Sequence, residues 1–176
     1  MKKYFMLFAL VGLFSSCDKL DELTKFDMDY DQRVVIPSTT GVDLPFEVFT
    51  PEKETNSSAE FEVNDTRKDL IEEIVLKKLV MTVEAPEGED FSFLESIIIY
   101  MSAEDLPEIK IAWNEDVSAT AGEQLELVTT AEDLKEYIKK DTYTLRLKTV
   151  TDEFLSSDYE INIATTFFVD AKILGL

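Results

Sequence analysis

The chain has 176 residues, 45% of them hydrophobic, with 37 acidic against 17 basic side chains and a net charge of −20. That field repels a phosphate backbone and excludes nucleic acid as a partner, while the apolar content is too high for a disordered acidic tail. Histidine is absent, which removes the commonest general base, the Ser-His-Asp arrangement and most zinc sites, so the chain is read as a non-enzyme with no catalytic, cofactor-binding or metal-ligating residue assigned.

Lys2 and Lys3 open the chain, residues 4–14 form an apolar run of eleven, and Ser15 and Ser16 precede Cys17, the one cysteine. Eleven residues rise about 16 Å as a helix, roughly half of a ~30 Å hydrocarbon core, so the segment reads as a cleaved export signal. Leu13-Phe14-Ser15-Ser16-Cys17 resembles the lipobox of bacterial lipoproteins, with Phe14 where that family usually has Leu. The resemblance implies that residues 1–16 are a lipoprotein signal peptide and that Cys17 is the lipid attachment site, carrying enough acyl chain for permanent membrane anchoring. Losing Lys2 and Lys3 with the signal leaves 15 basic against 37 acidic residues, a net charge of −22. Residues 17–25 then read as a lipidated tether and residues 26–176 as one domain. The acidic residues Asp18, Asp21 and Glu22 after the cysteine, the short signal and the low glycine content together resemble uncharacterised cell-envelope lipoproteins of Bacteroidota. That resemblance implies an outer-membrane location, at the cell surface or the periplasmic face.

Beyond the tether, Phe26, Met28, Tyr30, Val34 and Ile36 share one parity and Asp27, Asp29, Asp31 and Arg33 the other, the pattern of a half-buried strand. A short stretch with Leu44, Phe46 and Val48 between Pro45 and Pro51 suggests an edge strand. Asn56-Ser57-Ser58 reads as a loop, and the glycosylation motif it spells is discounted in a lipobox protein. Further strands are expected at residues 59–63, 77–85, 96–102, 108–113, 123–128 and 142–150. The last, at 159–173, keeps its apolar residues on odd positions, and its length predicts a bulge near Thr165-Thr166.

Two short helices are expected at 66–74 and 130–138, each opening on a threonine with an acid three residues later and each carrying an apolar pair four apart: Leu70 with Ile74, Leu134 with Ile138. The segments match at five of nine positions, and Phe93-Leu94-Glu95-Ser96 is echoed by Phe154-Leu155-Ser156-Ser157. This suggests a helix, strand, connection, strand unit used twice, or two generic capping helices. Strands every ten residues or so with turns between them predict an all-β fold, a two-sheet antiparallel β-sandwich of immunoglobulin-like architecture with two short capping helices.

Candidate chemistry is sparse. Asp27, Asp29 and Asp31 resemble the start of a calcium loop, but Gln32 and Ser38 occupy the positions of its glycine and bidentate glutamate, so they read as a solvated strand face. Trp113 shares parity with Ile109 and Ile111 and reads as core, with a sugar-stacking platform as the alternative. Thr142, Thr144, Arg146 and Lys148 form a basic strand face, expected to pair with acids across the sheet. The expected role is a membrane-anchored binding or scaffolding one toward an envelope protein; the alternative is a glycan- or cation-binding surface module.

Overall fold

The computed structural model describes residues 25–38 and 42–172. In chain order the elements are β1 (Lys25–Ile36), β2 (Phe46–Phe49), β3 (Lys53–Glu54), α1 (Ser57–Val63), β4 (Ile71–Ala85), β5 (Leu94–Ala103), β6 (Ile109–Asn114), β7 (Gln124–Glu126), β8 (Val128–Thr129), α2 (Lys135–Ile138), β9 (Thr142–Thr151) and β10 (Tyr159–Ala171). They build an all-β sandwich of two antiparallel sheets, a four-stranded one in the order β1-β10-β4-β7 and a six-stranded one in the order β2-β9-β5-β6-β8 with β3 beside β9. The expected all-β, two-sheet antiparallel sandwich is therefore what the chain adopts. Residues 1–24, and with them Cys17 and nearly all of the tether, lie outside the described residues, as does the end of the strand expected to reach residue 173.

Alternation explains the layers. On β10 every odd residue from Tyr159 to Ala171 is buried, and β1 buries its even residues. These rows meet Leu145, Leu147, Ile97, Ile99 and Met101 of the second sheet in one continuous core. β10 lies between β1 and β4, so its inward row is flanked by strands on both sides as well as covered from above.

Four expectations change. Residues 59–63 are helical because only Ser57 and Phe61, four apart, turn inward; Val63, whose apolarity completed the apparent strand pattern, is 81% exposed. The helix expected at 66–74 is a 3₁₀ turn at Lys68–Leu70 followed directly by β4. Register shifts against β10 leave Glu72, Lys77 and Glu84 of β4 without a partner, so three extra charged residues bulge out of the strand. The first two bulges space the inward residues Ile71, Ile74, Leu76 and Leu79 three, two and three apart, which imitates a helical period. The irregularity expected near Thr165-Thr166 is present at Thr166/Phe167, but its extra residue belongs to β4 and β10 alternates unbroken. Finally, the strand expected at 123–128 is two: β7 pairs with β4 and β8 with β6, and the chain crosses between the sheets at buried Leu127.

Of the helix expected at 130–138 one turn remains, α2, with Leu134 and not Thr130 at its N-cap, and Asp133 holds it in place. Its carboxylate accepts the backbone N–H of Ile74 at 3.1 Å and of Lys135 at 3.0 Å. Partial burial works to raise its pKa, but these bonds and Lys135 Nζ outweigh it and hold the carboxyl below its ordinary value. The two similar segments thus differ locally, yet the strands that follow them interlock. β4 of the first unit pairs with β10 of the second, and β9 of the second with β5 of the first, so each sheet has one strand from each unit at its centre.

Candidate binding face

The outer faces of the two sheets differ. On the four-stranded sheet each carboxylate of the row foreseen from the sequence has its own neighbour. Asp27 pairs with Lys77 at 2.7 Å, Asp29 accepts the Thr166 hydroxyl at 2.6 Å, and Asp31 accepts the Asn162 amide at 3.0 Å. Arg33 with Glu84 and Lys25 with Asp170 complete a solvated, cross-strand network. The three aspartates diverge along a strand, and among the described residues no group of three or more acids, cysteines or histidines is placed to hold a metal ion. The loop acids are likewise engaged one at a time: Glu89 accepts the Tyr159 hydroxyl at 2.7 Å and Asp90 the Ser92 N–H at 2.9 Å.

The six-stranded sheet carries a different outer face, and Trp113 stands on it. A register shift between Ile99 and Tyr100 leaves Ile111 as the extra residue of β6. Up to that bulge Ile109 faces the core opposite Met101; beyond it Ala112, opposite Ile99, takes the inward place and Trp113 turns outward opposite Ile98. The expectation that Trp113 packs in the core is thus corrected: the parity it shares with Ile109 and Ile111 is broken by one inserted residue.

One row across this face reads Glu47, Lys148, Ile98, Trp113 and Val128; the next reads Phe49, Arg146, Tyr100 and Lys110. Phe49 is 61% and Val128 58% exposed. The basic positions foreseen on β9 are here, and Arg146 finds the acidic partners expected of it. Its guanidinium donates through Nε and Nη2 to Glu108 at 2.7 and 2.5 Å and through Nη1 to Glu47 at 2.5 Å, while its centre lies 4.3 Å from the Tyr100 ring centroid. The Glu108 carboxyl is held below its ordinary pKa chiefly by that hydrogen bond, and the arginine is pushed further up by the same contact. Lys110 Nζ lies 4.1 Å from the Trp113 centroid and 3.4 Å from Glu115. Both rings therefore carry a cation on one face.

At the end of this face where β5 stops and β9 starts, Glu52, Ser102, Ala103, Glu104, Thr142, Tyr143 and Thr144 line an open depression of about 420 Å³. At the other end Lys148 is exposed and, among the described residues, has no ion-pair partner. Sequence reasoning found β9 but placed Trp113 in the core, because which parity faces out on β6 depends on the bulge at Ile111; it missed Phe49, Tyr100, Ile98 and the depression because alternation within a strand does not say which outward positions of separate strands share a row.

No protein-family model matches the chain, and no curated protein matches it. Among solved structures it is similar to turnip yellow mosaic virus, with 9% identity and a TM-score of 0.27 over 86% of this chain and 98% of that one. It is also similar to Desmodium yellow mottle tymovirus, with 9% identity and a TM-score of 0.23 over 86% of this chain and 85% of that one. Likeness at this level carries no argument about function.

Proposed function

We propose that the chain is a cell-envelope lipoprotein, anchored in the outer membrane through lipidated Cys17, whose sandwich is a non-enzymatic binding or scaffolding module. The observation that carries the binding role is the outer face of the six-stranded sheet, where Trp113, Tyr100, Phe49, Ile98 and Val128 stand together on a strongly acidic protein. Such a patch favours a protein partner over solvent. The Arg146 network keeps it rigid, which lowers the ordering cost of docking.

The anchoring rests on Leu13-Phe14-Ser15-Ser16-Cys17. β1 begins at Lys25, at the end of the sandwich that α1 and α2 close, so the tether would place that end toward the lipid. The basic side chains at this end, Arg67, Lys68, Lys135, Lys139 and Lys172, are each paired with an acid, so the anchoring rests on the acyl chains and not on charge. The glycan reading is supported by the same aromatic rings, but Lys110 and Arg146 already cover a face of each, so a protein surface fits better than a stacked sugar.

Two measurements test the proposal. Mass spectrometry of the mature N-terminus should find an acylated Cys17; a chain beginning elsewhere, or an unmodified Cys17, removes the anchor. Chemical crosslinking in native membranes should give partner adducts that Trp113→Glu abolishes and Thr166→Ala, on the opposite sheet, leaves intact. Adducts indifferent to Trp113→Glu would overturn the assignment of the face.

A further inference from the structure

Resting on the reading of that face as a docking surface, we infer that its partner is a second copy of this chain, packed sheet to sheet about a two-fold axis that crosses β9 and β5 at Arg146 and Tyr100. The argument is the self-complementarity of the face. Lys148 and Thr144 flank Arg146 symmetrically on the outward side of β9, four residues and about 13 Å apart. An axis laid across the strands at Arg146 sets Lys148 of one copy over Thr144 of the other. Thr144 lines the depression bounded by Glu52 and Glu104.

Neither of those carboxylates has an ion-pair partner among the described residues. The ammonium without a partner therefore meets the depression whose acids have none, twice, once on each side of the axis. This is the condition a closed two-fold interface must satisfy, in which residue i meets j and j meets i. Sheets pack about 10 Å apart face to face, a gap that a lysine side chain descending into a depression spans.

Net charge points the same way. Two bodies of this charge repel one another over most of their surfaces. On this face the balance is milder, with Arg146, Lys148 and Lys110 set against Glu47, Glu52, Glu104, Glu108 and Glu115. At the axis the Arg146 guanidinium is not a bare cation, because Glu47 and Glu108 hold it. Phe49 and Tyr100 lie in the axis row with Arg146, and Ile98 and Trp113 in the row of Lys148. β9 and β5 have ten residues each, β6 six, β2 four and β8 two; at ~3.3 Å per residue and ~4.8 Å between strands the whole face covers roughly 500 Å² per copy, so the dimer buries at most about 1,000 Å², the lower bound for a specific interface. It should be weak and reversible.

The test is a charge swap read by sedimentation velocity on residues 17–176 with Cys17→Ser, across a concentration series. The wild type should show a monomer–dimer equilibrium. Lys148→Glu alone, and Glu52→Lys with Glu104→Lys, should each weaken it by about tenfold or more, and an equimolar mixture of the two variants should restore it, because both sites of that heterodimer are then matched. Trp113 is the single tryptophan of the chain, so its emission on dilution reports the same equilibrium in any variant that folds. A wild type that stays monomeric, or a mixture that fails to restore association, overturns the inference. If the wild type is monomeric while Trp113→Glu still abolishes the membrane crosslinks, only the second-copy assignment falls; if both experiments fail, the docking face falls with it.

Discussion

Replacing Ile163 with alanine tests whether β10 is the centre of the core. Ile163 is fully buried, pairs with Gln32 on one side and Met81 on the other, and faces the second sheet. The substitution removes three carbons, about 2.4 kcal/mol at ~0.8 per buried carbon, and an incompletely collapsed cavity adds roughly 1–2. A loss of about 3–4 kcal/mol is expected. Asn162, one residue away, turns outward and makes a single exposed bond to Asp31, so Asn162→Ala should stay within ~0.5 kcal/mol. Urea unfolding of both variants at neutral pH is the assay, with the midpoint moving and the slope constant. Equal, small losses at the two positions would show that the strand is peripheral and that the burial argument fails.

The remaining predictions concern polar groups. Glu108 has a lowered pKa in the folded state, so the stability it contributes is present above its unfolded value and lost as pH falls through the folded one. Glu108→Gln should cost up to ~1 kcal/mol at pH 7, and the gap from wild type should close in acid; a gap independent of pH would contradict the Arg146 assignment. Calcium at millimolar concentration should barely move the melting temperature, since a tight site at a hundred times its dissociation constant would add about 2.7 kcal/mol, and a large, chelator-reversible rise would revive the cation-binding alternative. Gln32 points into the core with neither amide atom hydrogen-bonded among the described residues. Gln32→Leu should therefore be neutral or stabilising by ~1 kcal/mol in the same urea assay, and a clear loss would mean that a buried water satisfies the amide.

How far the chain could be read depended on whether its strands kept strict alternation. β1 and β10 hold a period of two from end to end, so both were legible with their inward rows. β4 was half legible. From Leu79 to Val83 its alternation is regular and was found; before that, bulges at Glu72 and Lys77 imitate a helix, and only pairing with β10 reveals the strand. The opposite error at 59–63 has the same root, since Ala59, Phe61 and Val63 alternate although packing uses Phe61 alone.

The candidate face was hidden for a physical reason that bears on its use. A bulge costs the sheet a regular pair and is retained where it re-aims a side chain. At Ile111 it re-aims the only tryptophan, from the core-facing parity of Ile109 to the open side beside Ile98. Without the extra residue Trp113 would point into the sandwich and Ala112 outward, and the face would lose its largest apolar side chain. Deleting Ile111 should therefore do more than remove one buried residue. The register beyond it slips by one, so the chain must either bury an indole where alanine fits now or unpair the end of β6 from β8. A deletion variant that kept both its stability and the wild-type emission of Trp113 would show that the bulge does not set the direction of that ring.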